Sequence, residues 1–193
     1  DILKNKDYQL HLDASEPLNS PEFDRTIFSA VRESLKWGAG NSTLETDTVV
    51  VNRLLDFLDQ DHHKNFFAFA FLDAAHGYKT PKGYSSHFQP ALSEVNYLSL
   101  NNDTDAEPFF NLYKNSVHYN DQLLGEVYKK LADRNLLAST VVIITSDHGQ
   151  AFNDLKQHFW GHNSNFSEYQ VKVPLIVHFV WSTPGRYVAG FNS

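Results

Sequence analysis

Apolar and polar positions along the chain switch between two periods. Tyr8, Leu10 and Leu12 alternate and predict a short strand, which Ser15-Glu16-Pro17 breaks. Phe23, Ile27, Ala30-Val31 and Leu35 recur at helical spacing behind Ser20, a candidate N-cap, and Pro21. They predict a helix that ends over Gly38 to Ser42. A second helix is predicted over Thr46 to Gln60, where Val50-Val51, Leu54-Leu55 and Leu58 form one apolar face and Asp47 sits in the first turn. Asn65 to Leu72 is continuously apolar, as expected of a strand covered on both faces of a parallel sheet. Tyr113, Val117, Leu123-Leu124, Val127 and Leu131 outline a long amphipathic helix over Phe109 to Asp133. Thr140 to Thr145 and Val173 to Phe179 read as two further buried strands. Between the Asn65 to Leu72 strand and the long helix, Asp73 to Pro108 carries Gly77, Pro81, Gly83, Pro90 and Asn101-Asn102-Asp103, the turn chemistry of a long surface excursion. Strand, helix and strand in this order predict an α/β fold with a mostly parallel central sheet, flanking helices and right-handed crossovers.

Composition narrows the partners. The 193 residues suit one domain. Lys and Arg total 16 against 23 Asp and Glu, a net charge of −7, so no bulk positive field favours nucleic acid or an anionic surface. The absence of Cys removes disulfides, thiolate metal sites and Cys nucleophiles. The absence of Met, which begins a complete translation product, leads us to expect part of a longer protein. No run approaches the roughly 20 apolar residues of a membrane span, so any anchor or export signal is expected outside this chain.

The sharpest chemical feature is Ser146-Asp147-His148-Gly149, directly after a predicted strand. Ligands of open α/β sheets collect at the carboxyl ends of strands. A carboxylate oxygen beside an imidazole nitrogen suits Zn²⁺ or Mn²⁺ better than Ca²⁺. On pattern alone, a turn in which Asp147 caps the following segment is an equal alternative. His76, in Asp73-Ala74-Ala75-His76-Gly77, also follows a predicted strand, so two strands deliver imidazoles to one sheet edge. His162, in Trp160-Gly161-His162-Asn163, is weak by itself. His62-His63, His118, His158 and His178 lack such placement and read as surface or core residues.

These stations, together with Tyr113 to Gly125, Thr140 to Gly149, Trp160-Gly161-His162 and Val173-Pro174-Leu175-Ile176, resemble the C-terminal half of a sulfatase-like domain of the alkaline phosphatase superfamily. The resemblance spans roughly Phe66 to Val177. The wording around Asp147 and His162, and the stretch Tyr8 to Phe28, look closest to the YejM (PbgA) family of inner-membrane proteins with periplasmic sulfatase-like domains. Lipid A phosphoethanolamine transferases and lipoteichoic acid synthases are similar at the same three stations. The resemblance implies that Asp147 and His148 bind a catalytic divalent metal, Mn or Zn ahead of Ca or Mg. It implies that His76 contacts substrate and that His162 is a substrate or second-metal ligand, making both catalytic candidates. It also implies that residues 1–193 are part of one periplasmic domain. The superfamily's acidic first-strand ligand and its Thr, Ser or formylglycine nucleophile have no counterpart in Asp1 to Gly40, so the nucleophile segment is expected upstream and the piece alone is expected to be inactive.

The expected function is therefore a metal-dependent hydrolase or transferase acting on phosphate or sulfate esters, including envelope lipids, at the periplasmic face of the bacterial inner membrane. The competing expectation is a non-catalytic lipid-binding or regulatory domain in lipopolysaccharide and outer-membrane homeostasis. A carbohydrate-binding reading rests only on Trp160 and Trp181 as exposed aromatics.

Overall fold

A computed structural model describes residues 2–20, 22–38, 42–84, 86–163 and 165–179. After the single turn α1 (Ile2–Asn5), strand β1 (Gln9–Ala14) pairs in parallel with β2 (Leu35–Trp37) on one side and, on the other, with β3 (Phe66–Phe71), which follows helix α2 (Thr43–Leu58). Leu12 stands opposite Leu35 and Phe69, so the middle of β1 is the middle of this three-stranded sheet. Helix α3 (Glu107–Asp133) leads to β4 (Val142–Thr145). The short strands β5 (Ala151–Phe152) and β6 (Trp160–Gly161) pair antiparallel, the single turn α4 (Glu168–Val171) follows, and β7 (Leu175–His178) pairs antiparallel with β4. Among the described residues no helix is long and apolar enough to cross a membrane.

The two long helices form as their patterns predict, with starts shifted. Helix α2 begins at Thr43 because the Ser42 side chain accepts the Glu45 amide proton at 3.3 Å and caps it. Helix α3 begins two residues early, with Pro108 in its first turn, where the missing N–H is not needed. Tyr119, Leu123, Val127 and Leu131, four apart on α3, pack against Val51, Leu54, Phe57 and Leu58 of α2 to make the main core.

The helix expected after Ser20 does not form. Residues 23–28 are turns, a 3-10 helix spans Ser29–Ser34 with a break at Val31, and Leu35 starts β2. Leu35 gains burial by pairing beside Leu12, whereas Ile27, which shares its helical spacing, is 71% exposed. The hydroxyls of Thr26 and Ser29 donate to the carbonyls of Glu22 and Thr26, competing with a regular helix. Pro21 and residues 39–41 of the predicted stop over Gly38 to Ser42 lie outside the described residues.

The α/β class holds, but the strands are less covered than their continuous apolar sequences suggest. β3 and β4 are not hydrogen-bonded to each other, and β4 with β7 forms a separate two-stranded sheet. Val142 packs on the α2/α3 core, while Ile143 on the other face is 61% exposed. The excursion after β3 is strapped to α3 by two buried asparagines. Asn115 takes the Phe88 amide proton at 3.0 Å and donates to the Phe88 carbonyl at 2.9 Å, while Asn111 donates to the Pro90 carbonyl at 2.8 Å. Leu100, Phe109 and Phe152 then form a smaller core that joins the excursion to α3 and β5. Trp160 belongs to this cluster, stacked at 6.0 Å on Phe109, which removes it as a solvent-facing sugar platform. Trp181 lies outside the described residues.

Candidate functional site

The turn after β3 is held from below by Asp47 of α2. The Asp47 carboxylate accepts the main-chain protons of Asp73 at 2.9 Å and Ala74 at 2.8 Å, and also that of the Ser15 hydroxyl from the end of β1. One buried side chain thus joins the carboxyl ends of two neighbouring strands. The turn closes with the His76 amide donating to the Asp73 carbonyl at 3.0 Å. Nδ1 of His76 faces Asp73 Oδ1 at 3.6 Å.

Past β4, the Asp147 carboxylate accepts the His148 amide proton at 3.0 Å, and the Ser146 hydroxyl donates to the His148 carbonyl at 2.8 Å. Gly149 then donates to the Gln170 carbonyl at 2.8 Å. A Cβ at Gly149 would stand 2.3 Å from the Tyr169 carbonyl oxygen, so only glycine lets the metal-type motif lie against α4. His148 Nδ1 bonds the Gly149 carbonyl at 2.9 Å. His162 follows β6, where Gly161 adopts a φ of +98°, and its Nδ1 bonds Gln150 Oε1 at 3.1 Å.

These turns bring three imidazoles together. The rings of His148 and His162 stack at 4.1 Å, His76 lies 5.0 Å from His162 and 6.3 Å from His148, and Asp147 Oδ1 is 3.8 Å from His148 Nε2. All four residues singled out in the sequence therefore meet at one place. In each histidine Nδ1 faces an oxygen, which leaves Nε2 of His76 and His162 as the nitrogen for a ligand, while Nε2 of His148 stands beside Asp147 Oδ1.

Burial, followed by the neighbouring His148 and His76 rings, pushes the His162 imidazole below its ordinary value, so the basic form dominates at neutral pH. Burial pushes the Asp73 carboxyl up to about 6; the His76 ring opposes the rise, and Glu16 and Asp47 add to it. Asp47 is pushed up by burial, against the hydrogen bonds from Ser15, Asp73 and Ala74.

Asp147 and His148 offer one oxygen and one nitrogen, a donor set suited to two corners of a divalent cation's coordination sphere. Among the described residues no group of three or more His, Cys, Asp or Glu is gathered so as to hold a metal ion. The donors fit a cation; a complete protein sphere is not preformed by these residues. Two oxygen groups at the end of β1 are already committed: Asp13 is ion-paired with Arg53 at 3.2 Å and Ser15 donates to Asp47. Sequence reasoning missed Asp47, Asp73, Gln150 and Tyr78. Asp73 carried a readable signal, a carboxylate at a strand end three residues before His76, whereas the others become visible only through contacts far along the chain.

The fold is similar to those of solved proteins. The C-terminal periplasmic domain of EptC from Escherichia coli, solved in complex with Zn, superimposes with a TM-score of 0.62 at 21% identity over 92% of this chain and 50% of that one. The lipoteichoic acid synthase LtaP from Listeria monocytogenes gives a TM-score of 0.62 at 19% identity over 95% of this chain and 46% of that one. At these identities the likeness shows the fold. The Escherichia coli K12 protein named "Putative transferase YhbX" is 34% identical over 73 residues, 37% of this chain and 12% of that protein. The chain thus spans half or less of the length of each of these relatives. The Sulfatase family model matches residues 1–192, and the chain belongs to the sulfatase family.

Proposed function

We propose that the whole protein is a metal-dependent transferase or hydrolase of phosphate esters, with sulfate esters as the lesser alternative, working on envelope components outside the cytoplasm. The observation that carries this reading is the meeting of His76, His148 and His162 with Asp147 at the ends of β3, β4 and β6. Asp147 and His148 would hold a divalent cation, with Zn²⁺ or Mn²⁺ favoured by the mixed oxygen and nitrogen donors over Ca²⁺ or Mg²⁺. When bound, such a cation supplies positive charge to the ester and lowers the pKa of a hydroxyl nucleophile. His76 would hold a non-bridging oxygen, and Nε2 of His162 would take up the proton of the nucleophile hydroxyl and return it to the leaving oxygen. The nucleophile and any membrane attachment are assigned to parts of the whole protein outside residues 1–193. The periplasmic EptC domain, the synthase LtaP and the transferase name of YhbX support an extracytoplasmic group transfer.

A second reading is a lipid-binding or regulatory domain of the same fold without turnover. Steady-state assays of the whole protein on an aryl phosphate and an aryl sulfate separate the two. The enzyme reading expects phosphate turnover that falls at least about 100-fold in His76→Ala or His162→Ala. Absence of turnover on either ester class, with the metal bound, favours the regulatory reading.

A further inference from the structure

Gln150 stands two residues after His148 and belongs to a directed chain of hydrogen bonds. Its Oε1 meets His162 Nδ1 at 3.1 Å, its Nε2 donates to the Tyr78 hydroxyl at 2.6 Å, and that hydroxyl meets the Tyr97 hydroxyl at 2.8 Å. An amide oxygen carries lone pairs and no proton, so His162 Nδ1 must be the donor. The Tyr78 oxygen, having accepted from Gln150, directs its own proton to Tyr97. Burial and the Tyr97 bond push the Tyr78 phenol up, so it stays a donor.

We propose that Gln150 is a positioning residue that locks neutral His162 in the Nδ1–H tautomer, and that Tyr78 and Tyr97 keep the Gln150 amide from turning over. The reversed chain would place the amide N–H on His162 Nδ1, move the ring proton to Nε2 and remove the bare nitrogen from the cluster. Reversal requires the amide and both hydroxyl protons to turn together. The state of His162 is thereby tied to the 3-10 turn Tyr97–Ser99, which lies on the excursion after β3. His148 is independent of this chain, because the main-chain carbonyl of Gly149 holds its Nδ1. The inference specifies which nitrogen of His162 faces substrate, and it rests on the proposed function for that consequence alone.

Long-range ¹H–¹⁵N correlation spectra of the histidine-labelled whole protein, in chelator-treated buffer with the rings neutral, read each tautomer directly. The expected wild-type spectrum shows His162 with Nδ1 protonated and Nε2 bare. In Gln150→Met the majority of His162 should move to the Nε2–H form, which the free histidine side chain prefers in water, while His148 keeps its signature. Gln150→Glu, whose carboxylate accepts as the amide oxygen did, should restore Nδ1–H. A wild-type His162 protonated on Nε2 overturns the proposal, and so does a folded Gln150→Met that retains Nδ1–H. The wild-type spectrum alone is decisive if the Met variant fails to fold. Metal binding and turnover do not enter this readout, so a failed tautomer assignment is distinguishable from a failed catalytic reading.

Discussion

Asp47 accepts the main-chain proton of Asp73, 26 residues away, at 2.9 Å, and with its other oxygen that of Ala74 at 2.8 Å. Helix α2 thereby fixes the start of the turn that carries His76. Removing the carboxylate leaves the buried Ala74 amide, the half-buried Asp73 amide and the buried Ser15 hydroxyl without their acceptor. Asp47→Ala should lower unfolding stability by about 3 kcal/mol, since each buried unsatisfied group costs about 1–3 kcal/mol. Asp47→Asn, which keeps one acceptor, should lose about half as much. Urea titration followed by far-UV circular dichroism measures both, and equal losses would show that acceptor geometry is not what matters there.

Asp73 and Asp47 also give the fold a pH dependence of unusual sign. Both carboxyls are pushed up in the folded state, Asp73 to about 6 from an ordinary 3.8. The folded protein therefore binds more protons than the unfolded chain between these values. Their contribution to stability is fully present below the unfolded pKa and is lost as pH rises through the folded one. Stability from these groups should fall from about pH 4 to about pH 6 and level off above. Asp73→Asn should flatten most of that slope, measured as urea midpoints across the pH series.

Gly149 follows the Asp147-His148 pair where the chain passes close to α4. Its place is set by approach of the Tyr169 carbonyl, 2.3 Å from where a Cβ would be. Gly149→Ala should therefore cost about 1–3 kcal/mol, as overpacking does, and should displace His148 from its stack with His162. Chemical-shift changes of both rings together are the expected result; a variant as stable as wild type would mean that α4 yields easily.

Asn115 tests how the excursion is secured. Asn115→Ala releases the Phe88 amide and carbonyl at once, so stability should drop by about 1–3 kcal/mol. Hydrogen exchange at Phe88 should accelerate well beyond that at Tyr119, which lies in the α2/α3 core.

Helices α2 and α3 were legible in the sequence because burial of one face imposes a four-residue repeat, seen at Tyr119, Leu123, Val127 and Leu131. The same repeat misled at Phe23, Ile27, Val31 and Leu35. There the apolar side chains serve a sheet edge through turns, and Ile27 faces solvent. His76, Asp147, His148 and His162 were legible from their places after strands and glycines and from a family resemblance. Their supports were not. Gln150 acquires its role from Tyr78, 72 residues away, and Asp47 from Ser15 and Asp73. Hydrogen bonds between such distant positions leave no periodic trace, because a polar side chain needs only one partner and that partner is set by the folded topology.

The central claim is that Asp147 and His148 hold a divalent cation within the imidazole cluster. Elemental analysis of the whole protein, by mass spectrometry after dialysis, measures this most directly. The account predicts about one equivalent of Zn or Mn in the wild type and its loss in folded Asp147→Asn and His148→Ala. A wild type without stoichiometric metal, or variants that keep it in full, would contradict the account.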